Sequence, residues 1–268
     1  MTAHTVRVTA PAAEAELAAD ALWQAGAVAI EERQAGNSVV LVAAGPGGAG
    51  ADPGPLLAAV AGRWPAEVAA VDLDAALDAW RPHARPVVVA GGRLTVRLDG
   101  TADPGSGEVV VDPERAFGSG AHPSTRLLLE ALVREVHGGE RVLDVGSGSG
   151  ILAVAAVALG AAAALAVDVD PSARQATAAN AARNGLADRI TVSDAVAGRY
   201  DLAVANLLLP DHRALAPALA AAVADGTTLI ASGVLATQRD ELVAAYPGLT
   251  PVAEREEDGW LAVSLRAP

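Results

Sequence analysis

Lysine and cysteine are both missing from this 268-residue chain; all 19 of its basic residues are arginine. Without cysteine there is no disulfide framework, no thiolate nucleophile and no Cys-ligated zinc. Without lysine there is no Schiff base and no P-loop lysine. Positive charge is scarce as well. The 32 acidic residues outnumber the basic ones and leave a net charge of −13. That balance argues against nucleic acid as the primary ligand, because such binding relies on basic residues to neutralise phosphates. Negative charge keeps an Ala-rich chain soluble, and it also suits encounter with a basic partner. What remains is chemistry done by carboxylates, His, Ser/Thr, Arg, backbone amides and a borrowed cofactor. His4, His83, His137 and His212 lack ligand-like spacing, so no metal site is expected.

The length allows one large domain, or a main domain with a smaller satellite. Met1–Ala10 has no basic region followed by an apolar stretch, so no secretory leader is expected. The apolar run Ile151–Val167 is shorter than the ~20 residues of a membrane span, and Gly160 interrupts it. The expected location is cytoplasmic, with no membrane partner.

Residues 1–72 alternate as strand, helix, two strands, helix and strand, the βαββαβ order of a small α+β ferredoxin-like unit. Gly36-Asn37 marks the hairpin inside it. A linker helix is expected over residues 73–85, ending in a Pro-punctuated turn. From residue 86 a second domain runs to residue 268. After three short strand-like runs it alternates strands (141–145, 163–168, 190–193, 202–205, 228–231) with helices, the signature of a doubly wound α/β sheet. Two last strands flank Asp258-Gly259 and predict an antiparallel hairpin.

The stretch Val142-Leu143-Asp144-Val145-Gly146-Ser147-Gly148-Ser149-Gly150 carries the most information. An apolar strand enters a loop with Gly at every second position, and an apolar helix follows. Glycines let the backbone turn tightly and approach a ligand, and the helix start offers free N–H groups. The third glycine comes too early for a dinucleotide fingerprint, and Asp144 would repel a pyrophosphate. The loop favours a nucleoside carrying positive charge. Asp168 ends the second strand at the interval where a carboxylate meets ribose hydroxyls. Asp170 is its rival, although Pro171 after it predicts a helix cap. Asp194, past the third strand, has two readings: an acceptor for an adenine amino group, or a loop or capping residue.

Asn206 is polar at the end of an apolar strand, at the mouth of the sheet where ligands of open α/β folds bind. Its alternative role is a turn residue. His122 either orients a substrate or packs in a lid. Gly118 and Gly120 permit a loop that folds over a ligand. The tryptophans are isolated and expected to pack, with Trp260 also able to line the substrate mouth.

The strand, Asp-x-Gly-x-Gly-x-Gly loop, helix and second Asp-ending strand resemble the class I S-adenosylmethionine-dependent methyltransferases. Their seven-stranded sheet also ends in an antiparallel hairpin. Three further stretches narrow the resemblance: Val111-Asp112-Pro113 through Ala116-Phe117-Gly118-Ser119-Gly120-Ala121-His122-Pro123-Ser124-Thr125, then Val204-Ala205-Asn206-Leu207-Leu208, then Ser232-Gly233-Val234-Leu235. From about residue 110 onward the chain is similar to the bacterial methyltransferases of ribosomal protein L-eleven. That resemblance implies S-adenosyl-L-methionine as cofactor, held by Thr125, Gly146, Asp168 and Asn206. With the loop residues above, the expected cofactor-binding set is Thr125, Asp144, Gly146, Ser147, Gly148, Gly150, Asp168, Asp194, Asn206, Gly118 and Ser119. Asn206, Phe117 and His122 are expected to position the substrate. The implied reaction is methyl transfer to amino groups of a basic ribosomal protein of the large subunit. A small-molecule amine or another protein is the alternative acceptor, and a non-catalytic cofactor-binding module is the second alternative.

Overall fold

The computed structural model describes residues 2–27, 29–45, 52–72, 86–98, 104–105, 107–112 and 122–268. The expected linker helix over 73–85 lies outside the described residues, as do Phe117, Gly118 and Ser119. The chain divides into two compact units, Met1–Pro82 and His83–Pro268.

The first unit runs β1 (Thr2–Pro11), α1 (Ala15–Gln24), β2 (Ala29–Ala35), β3 (Ser38–Ala44), α2 (Gly54–Val60) and β4 (Ala66–Asp72). Its sheet has the order β2-β3-β1-β4 with every pair antiparallel. The strands show period-two burial, so Val6, Val8, Val39 and Leu41 point inward together. They pack against Ala18 and Leu22 of α1 and Leu56 and Val60 of α2. Ala35 pairs directly with Ser38, leaving Gly36-Asn37 as a two-residue turn, with Gly36 at φ +66°.

In the second unit β5 (Val87–Val89), β6 (Leu94–Arg97) and β7 (Glu108–Val110) form a small sheet. Helix α3 (Pro123–Glu135) leads into the main sheet. There β8 (Arg141–Val145), α4 (Ile151–Ala158), β9 (Ala163–Val167), α5 (Pro171–Arg183) and β10 (Ile190–Ser193) form the first half. The second half is β11 (Tyr200–Asn206), α6 (Leu209–Ala222), β12 (Val223–Leu235), α7 (Arg239–Ala245), β13 (Thr250–Glu257) and β14 (Trp260–Arg266). The strand order is β10-β9-β8-β11-β12-β14-β13. The strands β8 to β12 pair in parallel, and β14 runs antiparallel to both β12 and β13.

One core lies on the α3, α4 and α5 face, around Leu128, Leu132 and Val154. The other lies on the α6 and α7 face, around Leu219, Leu229 and Leu242. Burial on both faces explains why these strands read as continuous apolar runs. The order reverses at β8, whose neighbours are β9 and β11, and such a switch point opens a crevice at the carboxyl ends. Two of the parallel strands exceed their expected lengths. β11 extends to Asn206, and β12 reaches from Val223 to Leu235 because β14 and the residues after it continue the pairing past Gly226. Among the described residues, no helix is long and apolar enough to cross a membrane.

Candidate active site

Gly146, Gly148 and Gly150 have φ of +75°, +53° and +78°, so every second residue between β8 and α4 is left-handed. That is why the sequence alternates glycine there. The loop is anchored to the end of β9: the N–H groups of Gly146 and Ser147 both donate to the Val167 carbonyl, at 2.9 and 3.1 Å. The next residue completes the clamp. Asp168 Oδ2 accepts from the Gly148 N–H at 3.0 Å, and its Oδ1 accepts from the Asp170 N–H at 2.9 Å. Ser147 turns inward, with its hydroxyl 3.2 Å from Thr177 Oγ1 on α5, which donates to the Gly148 carbonyl at 3.1 Å. Asp170 caps α5 by accepting from the Ser172 N–H at 2.8 Å, which holds its carboxyl below the usual range.

Asp144 is fully buried at the end of β8. Its Oδ2 accepts the Ala153 N–H at 3.1 Å and so caps the first turn of α4. Its Oδ1 is buried without a hydrogen-bond partner among the described residues. Burial, with a smaller push from Asp168, raises the carboxyl to about 7. A carboxyl raised above its unfolded value favours the folded state at low pH. That contribution is complete below the ordinary value of 3.8 and is lost as pH climbs through about 7. Asp144→Asn removes this titration. Between about pH 5 and pH 8 its stability relative to the parent should rise by roughly 2–3 kcal/mol, read from denaturant midpoints. A constant difference across that range would contradict the assignment.

Asn206 stands at the end of β11, next to Gly146 across the switch point; a Cβ on Gly146 would come within 3.4 Å of the Asn206 carbonyl. Its Nδ2 donates to Thr125 Oγ1 at 3.2 Å. Thr125 is buried in the first turn of α3, whose preceding residue, His122, caps the helix by accepting from the Ser124 N–H. The His122 ring meets Trp260 edge-on at 4.5 Å. Burial and the nearby Arg126 charge lower its pKa. Arg126 makes a short ion pair with Glu257 and lies 3.6 Å from Asp258, fastening α3 to the last hairpin. The structure thus brings Thr125, Asn206, Gly146, Gly148 and Asp168 to the carboxyl ends of β8, β9 and β11. Asp194 is exposed past the end of β10.

Several residues that shape this site were not singled out from the sequence. Thr177 and Asn180 on Ala-rich α5, with Asn184 as its C-cap, form a polar stripe at helical spacing, which is the available signal. His212 is the other. It is buried on α6, its Nδ1 accepts from the Tyr246 hydroxyl at 2.8 Å, and its Nε2 donates to the Ser232 carbonyl at 2.9 Å. The same carbonyl accepts from the Leu207 N–H at 3.0 Å, so the histidine supports the turn after Asn206 from below. Burial lowers its pKa and keeps it neutral.

The chemistry of this donor set suits a cationic nucleoside. Asp144, Asp168 and Asp194 stand at the ends of the three adjacent strands β8, β9 and β10, and one oxygen of Asp144 is buried there with no partner among the described residues. A cationic centre and a ribose diol are among the groups that such a row of acids can meet.

Comparison with known proteins fits this geometry. The family profile described as "Ribosomal protein L11 methyltransferase (PrmA)" matches residues 64–268, well over half of the chain. The chain belongs to that family. A ribosomal protein L11 methyltransferase from Dechloromonas aromatica is 47% identical over 170 residues, covering 61% of this chain and 56% of the relative. One from Pelotomaculum thermopropionicum is 39% identical over 200 residues, 70% of this chain and 64% of the relative. The chain therefore spans about half to two-thirds of the length of these curated relatives. Among solved structures, a ribosomal protein L11 methylase from Lactobacillus delbrueckii subsp. bulgaricus superposes with a TM-score of 0.59 at 28% identity. It covers 66% of this chain and 96% of that one. The cofactor of the family is S-adenosyl-L-methionine, which the carboxylate row and the glycine loop fit.

Proposed function

We propose that this protein transfers methyl groups from S-adenosyl-L-methionine to amino groups of ribosomal protein L11. The observation that carries the proposal is the Asn206–Thr125 hydrogen bond, 3.2 Å long, beside the glycine loop at the switch point. It joins two residues 81 positions apart that both fall in the family's motifs.

When bound, the donor supplies an electrophilic methyl group on a sulfonium, so the protein needs no nucleophile of its own. In this reading Asp168 holds the ribose, and Asp194 takes the adenine amino group. The left-handed glycines, with Ser147 turned aside, bring the backbone against the donor. Asp144, under the loop, keeps one buried oxygen without a hydrogen-bond partner behind it. Asn206 offers the acceptor Oδ1 to a neutral amine and keeps it in line with the reacting bond, the geometry on which such displacements depend. Phe117, Gly118, Ser119 and His122 belong to the stretch proposed to close over the amine and exclude water. No residue is assigned as a general base; solvent or a nearby carbonyl takes the proton.

Residues 1–72 are proposed as a ferredoxin-like recognition unit, joined by a linker over 73–85 to the catalytic domain over 86–268. A basic large-subunit ribosomal protein suits the net charge of −13, which would steer it toward the enzyme. Nucleic acid and membrane are not expected partners, and the setting is cytoplasmic.

The test is transfer of a labelled methyl group to purified L11. The parent should label L11, and Asn206→Ala should lower the rate by about 100-fold, the scale of a lost positioning contact. Label on a metabolite but not on L11 would favour the small-molecule alternative. Donor binding without transfer to either would favour the non-catalytic module.

A further inference from the structure

Asn180, on α5, is 1% exposed, and every hydrogen-bonding position of its amide is filled. Nδ2 donates to the carbonyls of Asp112 and Ser149, both at 2.8 Å. Oδ1 accepts from the Asp112 N–H at 2.9 Å and from the Arg183 guanidinium at 2.5 Å. Two carbonyls on one side and two N–H donors on the other allow only this orientation of the amide. One turn later Asn184 repeats the pattern on Val110: Oδ1 accepts its N–H at 2.8 Å and Nδ2 donates to its carbonyl at 2.7 Å.

The spacing is matched. Four residues of helix advance by about 6 Å, and two residues of strand by about 6.6 Å. Asn180 and Asn184 therefore read Asp112 and Val110 as a neighbouring strand would. Val111 faces the other way and donates to the Arg97 carbonyl on β6 at 2.8 Å. The two amides stand in for a strand at the open edge of β7.

They differ in one contact. Among the described residues Asn184 hydrogen-bonds only to β7 and its own helix, where it donates to the Asn180 carbonyl at 2.8 Å. Asn180 also holds the carbonyl of Ser149, inside the glycine loop. Asp112 is where the chain enters residues 113–121, which carry the Ala-Phe-Gly-Ser-Gly run. We infer that Asn180 is a positioning residue for the donor site: its single amide fixes the glycine loop and the chain entering residue 113 at a set separation. Asn184 anchors the strand without setting that separation. This rests on the donor reading given under Proposed function.

The test is calorimetric titration of the full chain with S-adenosylhomocysteine, alongside thermal melting. The variants are Asn180→Ala, the milder Asn180→Ser, and Asn184→Ala. Asn180→Ala, which gives up four hydrogen bonds from a buried amide, should lose more stability than Asn184→Ala, which gives up three from a half-buried one. Binding should separate them. At a temperature where all are folded, both Asn180 variants should bind at least about tenfold more weakly, whereas Asn184→Ala should stay within about twofold of the parent. Equal weakening by Asn180→Ala and Asn184→Ala, or parent-like binding by the Asn180 variants, would overturn the inference. Unfolding of both Asn180 variants while Asn184→Ala folds would also count against it, as the mark of a purely structural amide. Failure of the parent chain to bind would instead remove the donor reading itself.

Discussion

Gly233→Ala should destabilise the second unit by about 2–5 kcal/mol and abolish methyl transfer. Two independent costs add at this position. Gly233 has φ +89°, which costs an L-residue about 1–2 kcal/mol. A Cβ there would also lie 2.4 Å from the Leu207 carbonyl oxygen, 2.7 Å from its nitrogen and 2.9 Å from Asn206 Oδ1. Those are backbone atoms and a site side chain, so relief must come from moving the Asn206–Leu207 turn. Gly226 provides the control: its φ is +74°, yet a Cβ there would meet nothing within 4 Å. Gly226→Ala should carry the conformational cost alone and keep activity. In thermal melts the Gly233 variant should fall roughly 5–15 °C, with the Gly226 variant losing well under half of that. Equal losses, or an active Gly233→Ala, would mean that close approach of β12 does not hold Asn206.

Asp168→Ala is expected to weaken donor binding by about 100-fold. Hydrogen bonds to a charged group contribute roughly 1.5–3 kcal/mol each, and this carboxylate receives the N–H groups of Gly148 and Asp170. Removing it frees the glycine loop on one side and, in the proposed binding mode, drops the ribose contact. Asp170→Ala is the matched control two residues away. It removes an N-cap, so it should cost about 1 kcal/mol of stability and leave affinity within a few-fold. Calorimetry on both variants decides the matter: equal affinities for the two would contradict the role given to Asp168.

The site was legible where its chemistry is local. The alternate glycines signalled left-handed backbone between β8 and α4, and all three adopt it. Pro171 after Asp170 signalled the cap that forms, and Asp258-Gly259, with φ of +50° and +78°, forms the predicted tight turn. Asn206 does end its strand. The misses all involve partners far along the chain. Asn180 reaches Asp112 across 68 positions, and Tyr246 reaches His212 across 34. Hydrophobic periodicity reports which face of a helix is buried and carries no information on which remote segment that face meets. The remote segment that Asn180 holds is therefore not legible in the Ala-rich helix around it. The length of β12 was underread for the same reason: its pairing partner is the last strand of the chain.

Intact mass spectrometry of a full set of unmethylated ribosomal proteins, incubated with this protein and S-adenosyl-L-methionine, tests the central claim most directly. L11 should gain mass in whole methyl increments while the other ribosomal proteins keep theirs. An unchanged L11, with the donor demonstrably bound, or mass gained on a different ribosomal protein, would contradict it.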